Sequence, residues 1–152
     1  MSQHISPVVE CQMMIRRPQH EVFQAFVDPE ITTRFWFTKS SGMLETGKSV
    51  NWEWEMYGVK STVLVKEIVP HERITIEWNT PPTIVDFEFS EVGEGKTYVI
   101  IKNYGFHQSG DELIEAVKDN TGGFTTVLDG LKAYLEHGLE LNLIADKFPG
   151  QM

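Results

Sequence analysis

The spacing of apolar residues changes along the chain, and each change predicts a new kind of element. Val8 to Ile15 is rich in residues that suit a β-strand, and Pro18 ends this segment. "RPQHEVFQAFVDPE" then places apolar side chains at helical spacing until Asp28-Pro29. A second short helical turn, "PEITTRFWF", carries three neighbouring aromatic residues. The pattern therefore predicts one strand followed by two short helices.

From Ser41 to Gly105 the apolar spacing becomes two residues, which is typical of half-buried strands. Glycine and proline breaks separate six strand-like runs: "MLE", "VNWEWEMY", "VKSTVLVKEIV", "RITIEWN", "TIVDFEFSEV" and "KTYVIIKNY". Because the breaks are short, neighbouring runs are expected to pair antiparallel; parallel neighbours would each need a long crossover. With the first strand included, the sheet is predicted to have about seven strands.

The spacing after Gly105 is helical again. "GDELIEAVKD" has a helical pattern, "NTGG" interrupts it, and a longer helix is predicted from Thr121 to Gly138. At 1.5 Å per residue this helix is about 27 Å long, close to the length of an eight-residue strand, so it can lie across the sheet. The tail "LELNLIADKFPGQM" fits a helix or a strand equally well.

The alternating strands give the predicted sheet two different faces. One face is apolar and aromatic and includes Trp52, Trp54, Ile74, Ile76, Trp78, Val85, Phe87 and Phe89; the other includes Glu53, Glu55, Glu77 and Glu88. The long helix must cover the apolar face, which defines an α+β fold. One interpretation is that this face belongs entirely to a close-packed hydrophobic core. However, one helix is about 10 Å across and narrower than a seven-stranded sheet, which favours an apolar cavity between the two.

Composition narrows the classes of function. The 152 residues include 22 acidic and 13 basic side chains, a formal net charge of −9, so binding to nucleic acid or to an anionic membrane surface is disfavoured. The length predicts one domain spanning residues 1–152. Cys11 is the only cysteine, which excludes a disulfide within the chain, and the first residues resemble no signal peptide or membrane span. A cytoplasmic protein is the resulting expectation.

No motif assigns a reaction. "SEVGEGKT" is close to a phosphate-binding loop, but Ser90 replaces the first glycine and a strand follows, so a hairpin turn is predicted. The histidines His4, His20, His71, His107 and His137 lack the close spacing of metal ligands, and no nucleophile motif is present. We therefore predict no metal, no cofactor and no assigned catalytic residue, a pattern that favours a binding protein over an enzyme.

Three stretches resemble one known family. "FVDPEITTRFW", "VPHERITIEW" and "GGFTTVLDGLKAYLEHG" are similar, in this order, to segments of START-like (SRPBCC) proteins in the branch named for the activator of heat-shock protein 90 ATPase. The resemblance implies a helix-grip fold, as in polyketide cyclases and the birch-pollen allergen, with a hydrophobic cavity between the sheet and the long helix. It covers nearly the whole chain.

The same resemblance implies which residues line that cavity. Carried onto this chain, they are Phe26, Trp36, Trp52, Trp54, Trp78, Phe87, Phe89, Phe124 and Leu128, and Thr97, Val99, Ile101 and Asn103 are expected to face inward. A small hydrophobic molecule, aromatic or lipid-like, is the expected partner.

Two other functions stay open. One is a cyclase or aromatase that uses the same cavity, with Asn103 and Tyr104 as candidate polar groups. The other is binding to a chaperone or another protein through the acidic face of the sheet. The sequence does not decide between a monomer and a dimer.

Overall fold

Seven antiparallel strands form one sheet in the computed structural model, which describes residues 6–149. The strands are β1 (Val9–Ile15), β2 (Lys39–Ser40), β3 (Ser49–Trp54), β4 (Val59–Val69), β5 (Arg73–Trp78), β6 (Thr83–Gly93) and β7 (Lys96–Tyr104). Their order in the sheet is β1-β7-β6-β5-β4-β3-β2, so the first strand pairs with the last. His4 lies outside the described residues.

Within the described residues, four helices accompany the sheet: α1 (Gln19–Val27), α2 (Pro29–Thr32), α3 (Gly110–His137) and α4 (Leu143–Asp146). Between α1 and α2 the Asp28 carboxylate accepts a hydrogen bond from Glu30 N at 3.0 Å, and Pro29 occupies the first turn of α2. Helix α3 ends at Gly138, whose φ of 66° is in the left-handed region. The predicted α+β fold, with two short helices after the first strand and a long C-terminal helix packed on the sheet, is confirmed.

The predicted interruption of the last helix is wrong, because α3 is continuous over 28 residues. Two polar side chains of "NTGG" bond within the helix: Asn120 Nδ2 donates to Ala116 O at 2.8 Å and Thr121 Oγ1 to Val117 O at 2.6 Å. Packing on β1 supports the segment, since Cys11 Sγ lies 3.5 Å from Thr121 O. Tertiary contacts therefore outweigh the low helix propensity of this segment.

Two strand predictions are also wrong in detail. "MLE" is not a strand; Leu44 N donates to Val27 O at 3.1 Å, which ties this segment to α1, and the edge strand β2 lies earlier in the chain. Strand β3 ends at Trp54 rather than Tyr57, because Glu55–Tyr57 forms a single 3-10 turn closed by Gly58, whose φ is 63°. Met56 therefore does not continue the face of Val50 and Trp52.

The inner face of the sheet and the helices share one hydrophobic core. Its strand residues include Val50, Trp52, Val63, Val65, Ile74, Ile76, Val85, Phe87, Phe89, Val99 and Ile101, and α3 contributes Phe124, Val127, Leu128 and Leu131. The predicted apolar face is therefore confirmed, and so is the hairpin at "SEVGEGKT", which joins β6 to β7. The β4–β5 and β6–β7 pairings each contain a register shift, and such bulges increase the local twist of a sheet.

Candidate functional site

A cavity of about 1040 Å³ lies between one end of the sheet and α3. The sheet side is built by Trp54, Val59, Lys60, Ser61, Trp78 and Asn79, and the helix side by Lys118, Asp119, Asn120, Gly122, Gly123, Phe124 and Val127. Trp36, Tyr57, Ile144, Lys147 and Phe148 complete the wall. Val59 is 49% exposed and Phe148 57% exposed, so the cavity opens to solvent at this side.

Four aromatic side chains form the apolar wall of the cavity. Trp36 and Trp78 have ring centroids 6.0 Å apart, Trp54 and Trp78 6.5 Å, and Trp78 and Phe124 5.5 Å. Trp36 and Phe124 are almost fully buried, whereas Trp54 and Trp78 are only partly buried. The aromatic wall therefore keeps part of its surface uncovered by protein.

The helix side of the cavity is open because two glycines stand in the middle of α3. A Cβ atom built on Gly123 meets no other atom within 4 Å, so the space beside this residue is empty. On Gly122 a Cβ would lie 3.1 Å from Lys147 Nζ. Glycine costs a helix about 1 kcal/mol relative to alanine, so two in succession are unfavourable for the helix alone. Their position beside the cavity gives them a structural role, because they leave the helix side of the cavity open.

The predicted lining residues divide into two groups. Trp36, Trp54, Trp78 and Phe124 lie in the wall of this cavity. The other members of the set lie in the closed core instead: Phe26, Trp52, Phe87, Phe89, Thr97, Val99, Ile101, Asn103 and Leu128. Whether any of these side chains contacts a ligand stays a prediction.

Trp52 is an example of a predicted lining residue that the fold buries in the core. Its ring stacks on Phe37 with a centroid distance of 4.5 Å and an angle of 18° between the ring planes. Trp36 lies 4.9 Å away on another side. Trp52 is only 1% exposed as a result. The side chain is a packing element beneath the cavity wall.

Asn103 is a buried polar residue on β7 with incomplete hydrogen bonding. Its Nδ2 donates to Thr83 Oγ1 at 3.1 Å and to Ile84 O at 2.9 Å. Its Oδ1 has no partner among residues 6–149, and the same holds for the buried Nε1 of Trp78. A buried unpaired polar atom costs about 1–3 kcal/mol.

Tyr104 lies on the opposite face of β7 from Asn103. Its hydroxyl donates to Asp86 Oδ2 at 2.8 Å, and Asp86 Oδ1 accepts from Thr75 at 2.6 Å. Burial and the bond to Asp86 raise the pKa of Tyr104 to about 12. The hydroxyl is therefore held as a neutral donor on the outer face. Asn103 and Tyr104 do not form one catalytic pair.

The acidic outer face is a mixed-charge surface. Glu53 lies 3.8 Å from Lys39 and 3.3 Å from Lys60, while Glu77 pairs with Lys66 at 3.5 Å and Glu88 with Lys102 at 3.1 Å. Glu55 is exposed. Most of the predicted carboxylates are thus neutralised by lysines on neighbouring strands. Glu53 itself is partly covered, because its side chain is only 22% exposed.

The sequence interpretation missed the part of the wall that comes after α3. Ile144, Lys147 and Phe148 reach the cavity because Tyr57 holds the segment: its hydroxyl bonds to Ile144 O and, at 3.1 Å, to Ala145 O. The apolar tail was a weak signal for this contact. The glycine pair in "NTGG" is a stronger signal, although its composition alone predicts a break in the helix.

Neither a metal site nor a membrane span is found in the described part of the chain. No group of three His, Cys, Asp or Glu side chains within residues 6–149 could hold a metal ion. No helix in the same range is long and apolar enough to cross a membrane.

A seven-stranded antiparallel sheet carrying a long C-terminal helix, with short helices after β1, defines a START-like (SRPBCC) helix-grip protein. Within this class, the family model described as "Activator of Hsp90 ATPase homolog 1-like protein" matches residues 16–136, and the chain belongs to that family. The resemblance seen in the sequence is therefore confirmed. None of the curated proteins matches the chain in sequence.

Solved structures share the fold over most of the chain. Protein SSP2350 from Staphylococcus saprophyticus has a TM-score of 0.77 at 27% identity, covering 89% of this chain and 96% of its own. The Aha1 dimer from Colwellia psychrerythraea has a TM-score of 0.74 at 17% identity, covering 87% of this chain and 98% of its own. At that identity the likeness concerns the fold alone.

DynU16 is described as a putative protein in the dynemicin biosynthetic locus. It has a TM-score of 0.77 at 21% identity, and the match covers 88% of this chain but 48% of DynU16. The chain thus spans about half the length of DynU16, and here too the likeness concerns the fold alone.

Proposed function

We propose that the protein binds a small hydrophobic molecule, aromatic or lipid-like, in the cavity between the sheet and α3. The observation that carries this proposal is a cavity of about 1040 Å³ whose wall includes Trp36, Trp54, Trp78 and Phe124. Ligand sites in proteins are usually concave, largely apolar and of roughly 300–1,000 Å³. This cavity is large enough for a ligand with several rings.

The uncovered aromatic surface supplies the free energy for binding. Burial of apolar surface contributes about 25 cal/mol per Å², from which the cost of immobilising the ligand is subtracted. A flat aromatic ligand can in addition make edge-to-face contacts with rings whose centroids are already 5.5–6.5 Å apart. Because the rings are held by the core below them, little ordering is needed on binding.

The catalytic alternative receives less support from the geometry. Its candidate groups, Asn103 and Tyr104, lie on opposite faces of β7. The cavity wall, as residues 6–149 form it, contains no histidine, and its carboxylate, Asp119, is exposed on the rim. General acid or base catalysis needs a group within hydrogen-bond reach of the reacting atom. A binding role requires none of these groups.

A protein-binding role for the outer face also receives less support. The ion pairs of Glu53, Glu77 and Glu88 offset part of the negative charge that a basic partner would need. The solution structure of Aha1 from Colwellia psychrerythraea is that of a dimer. An apolar ligand is the main partner that we propose, and this proposal does not depend on whether the chain self-associates.

The test uses N-phenyl-1-naphthylamine, a neutral apolar dye whose emission rises in an apolar site. We expect saturable binding with quenching of the tryptophan emission. Gly123→Leu adds a side chain where the cavity has space, so it should weaken binding by at least about tenfold. Thr121→Leu adds a leucine at an exposed position of the same helix and should leave binding unchanged.

Two results would overturn the proposal. One is the absence of saturable dye binding by the folded wild-type protein. The other is equal loss of binding in Gly123→Leu and Thr121→Leu, since this would place the dye outside the cavity. Circular dichroism of both variants verifies that α3 is intact.

A further inference from the structure

The charged residues at the cavity mouth differ in sign from the chain as a whole. Three lysines, Lys60, Lys118 and Lys147, line the cavity together with one carboxylate, Asp119. The whole chain has a net charge of −9, so this local excess of cations runs against its average. Positive charge beside an apolar cavity is the arrangement expected of a binding site for an amphipathic anion.

Two of the lysines are already partnered by acidic side chains outside the cavity. Lys60 lies 3.3 Å from Glu53, and Lys118 lies 3.8 Å from Glu115. Their side chains are 76% and 72% exposed, so both cations are also well solvated. Neither lysine is therefore a specific binding partner for an anionic group of a ligand.

Lys147 is exposed like both of them, but its partners differ. Within residues 6–149 it forms no ion pair, and its Nζ donates to Thr126 Oγ1 at 3.0 Å. Thr126 Oγ1 in turn donates to Gly122 O at 2.8 Å, so the hydroxyl oxygen is fixed as the acceptor for the ammonium. An ammonium group has three N–H donors, and this bond uses one of them. Two donors remain for another acceptor.

Gly122 of α3 leaves room for this ammonium at the cavity wall. A Cβ on Gly122 would lie 3.1 Å from Lys147 Nζ, closer than nine in ten real Cβ contacts. Gly122 also lines the cavity, two residues before Phe124 of the aromatic wall. The cation and the aromatic rings are therefore parts of the same surface.

We infer that the ligand carries an anionic group, a carboxylate or a similar oxyanion, which binds Lys147 Nζ while its apolar body lies against Trp54, Trp78 and Phe124. This inference rests on the proposed function and adds the chemical class of the ligand. A charge-assisted hydrogen bond contributes more than a neutral one, which makes the anion a determinant of affinity.

A matched pair of dyes tests the inference. 8-Anilinonaphthalene-1-sulfonate has the same ring system as N-phenyl-1-naphthylamine and adds one sulfonate. We expect the sulfonate dye to displace the neutral dye at one site and to bind the wild type roughly tenfold more tightly. Lys147→Met should abolish this preference, so that the affinities of the variant for the two dyes lie within about twofold of each other.

Lys96→Met is the matched control. Lys96 lies on the β6–β7 hairpin, outside the cavity, and it too forms no ion pair within residues 6–149, so its replacement changes the net charge equally. The preference for the sulfonate dye should survive in this variant. It should also weaken with added salt in the wild type, because the lysine is near solvent.

The outcomes separate the two proposals. Equal affinity of the wild type for both dyes, or equal loss of the preference in Lys147→Met and Lys96→Met, overturns the anionic group and leaves apolar binding in place. Failure of the neutral dye to bind overturns the proposed function and this inference with it.

Discussion

Trp52 and Trp54 lie on the same face of β3 with ring centroids 6.5 Å apart, yet only Trp54 reaches the cavity. Trp52 is covered by Phe37 and Trp36. Trp54 stands at the end of the strand, where the 3-10 turn Glu55–Tyr57 directs the chain away. Two tryptophans in one short sequence therefore have different roles, one in stability and one in the candidate site.

Alanine substitutions should separate these roles. Trp52→Ala removes a fully buried ring and should lower the free energy of unfolding by about 3–5 kcal/mol. Trp54→Ala removes a partly buried ring and should cost about 1–2 kcal/mol, but it should weaken binding of N-phenyl-1-naphthylamine more strongly. Urea unfolding and dye titration measure the two effects. Equal destabilisation by the two variants would contradict the assignment.

Two glycines of α3 should respond in opposite ways to alanine. Gly123→Ala meets no atom within 4 Å and should raise the free energy of unfolding by about 0.5–1 kcal/mol, because alanine favours helix. On Gly130 a Cβ would lie 3.2 Å from both Cβ and O of Phe35, so Gly130→Ala should cost about 1–3 kcal/mol.

Thermal and urea unfolding of both glycine variants measure this contrast. Helix propensity alone predicts the same gain at both positions. A stabilised Gly130→Ala would therefore show that the contact with Phe35 is looser than the structure indicates.

Glu136 should make stability depend on pH. Its Oε2 accepts hydrogen bonds from Arg16 N at 2.8 Å and from Lys132 Nζ at 2.6 Å. Burial raises the pKa of Glu136, but these hydrogen bonds and the nearby positive charges outweigh it, so the pKa is lowered overall. A lowered pKa in the folded state means that the carboxylate stabilises above its unfolded pKa of about 4.3 and loses this effect as the pH falls.

Glu136→Gln should therefore cost about 1–2 kcal/mol near neutral pH, and its difference from the wild type should shrink as the pH falls below about 4.3. Urea unfolding at several pH values gives this difference. Glu21→Gln is the control, because Glu21 forms an exposed pair with Arg17 four residues earlier and should have a small effect. A pH-independent cost at Glu136 would refute the ionic explanation.

Tyr57 should control the segment that contains α4. Tyr57→Phe removes the hydroxyl that bonds to Ile144 O and Ala145 O, at a cost of about 1 kcal/mol. The amides of Asp146 and Lys147, which donate to Asn142 O and Leu143 O, should then exchange hydrogen faster, while those of β7 stay protected. Tyr98→Phe provides the comparison, since no hydrogen bond of its hydroxyl is found within residues 6–149. Unchanged exchange in Tyr57→Phe would show that apolar contacts alone hold α4.

Much of the fold could be predicted from local pattern. Alternation in "VKSTVLVKEIV" and "KTYVIIKNY" predicts two strands whose ends agree with β4 and β7. Period-two spacing is a direct consequence of which side chains a strand buries, so it is visible without tertiary information. The helix through "NTGG" could not be predicted in this way, because its support comes from contacts with β1.

The candidate site was predictable only in its general character. The apolar face of the sheet follows from alternation, and a narrow helix over a wide sheet makes a cavity plausible. The sequence does not say which aromatic rings are covered. Phe37, which covers Trp52, comes from the short segment between α2 and β2, and its position depends on the whole fold.

Residue spacing predicts six of the seven strands, the helix that covers the sheet and the apolar face between them, because each of these depends on one element at a time. The location of the cavity beside Trp54 and Gly123, with Lys147 at its wall, follows from the tertiary structure alone. These features depend on distances between segments far apart in the chain, where a few ångströms separate a packed ring from an exposed one.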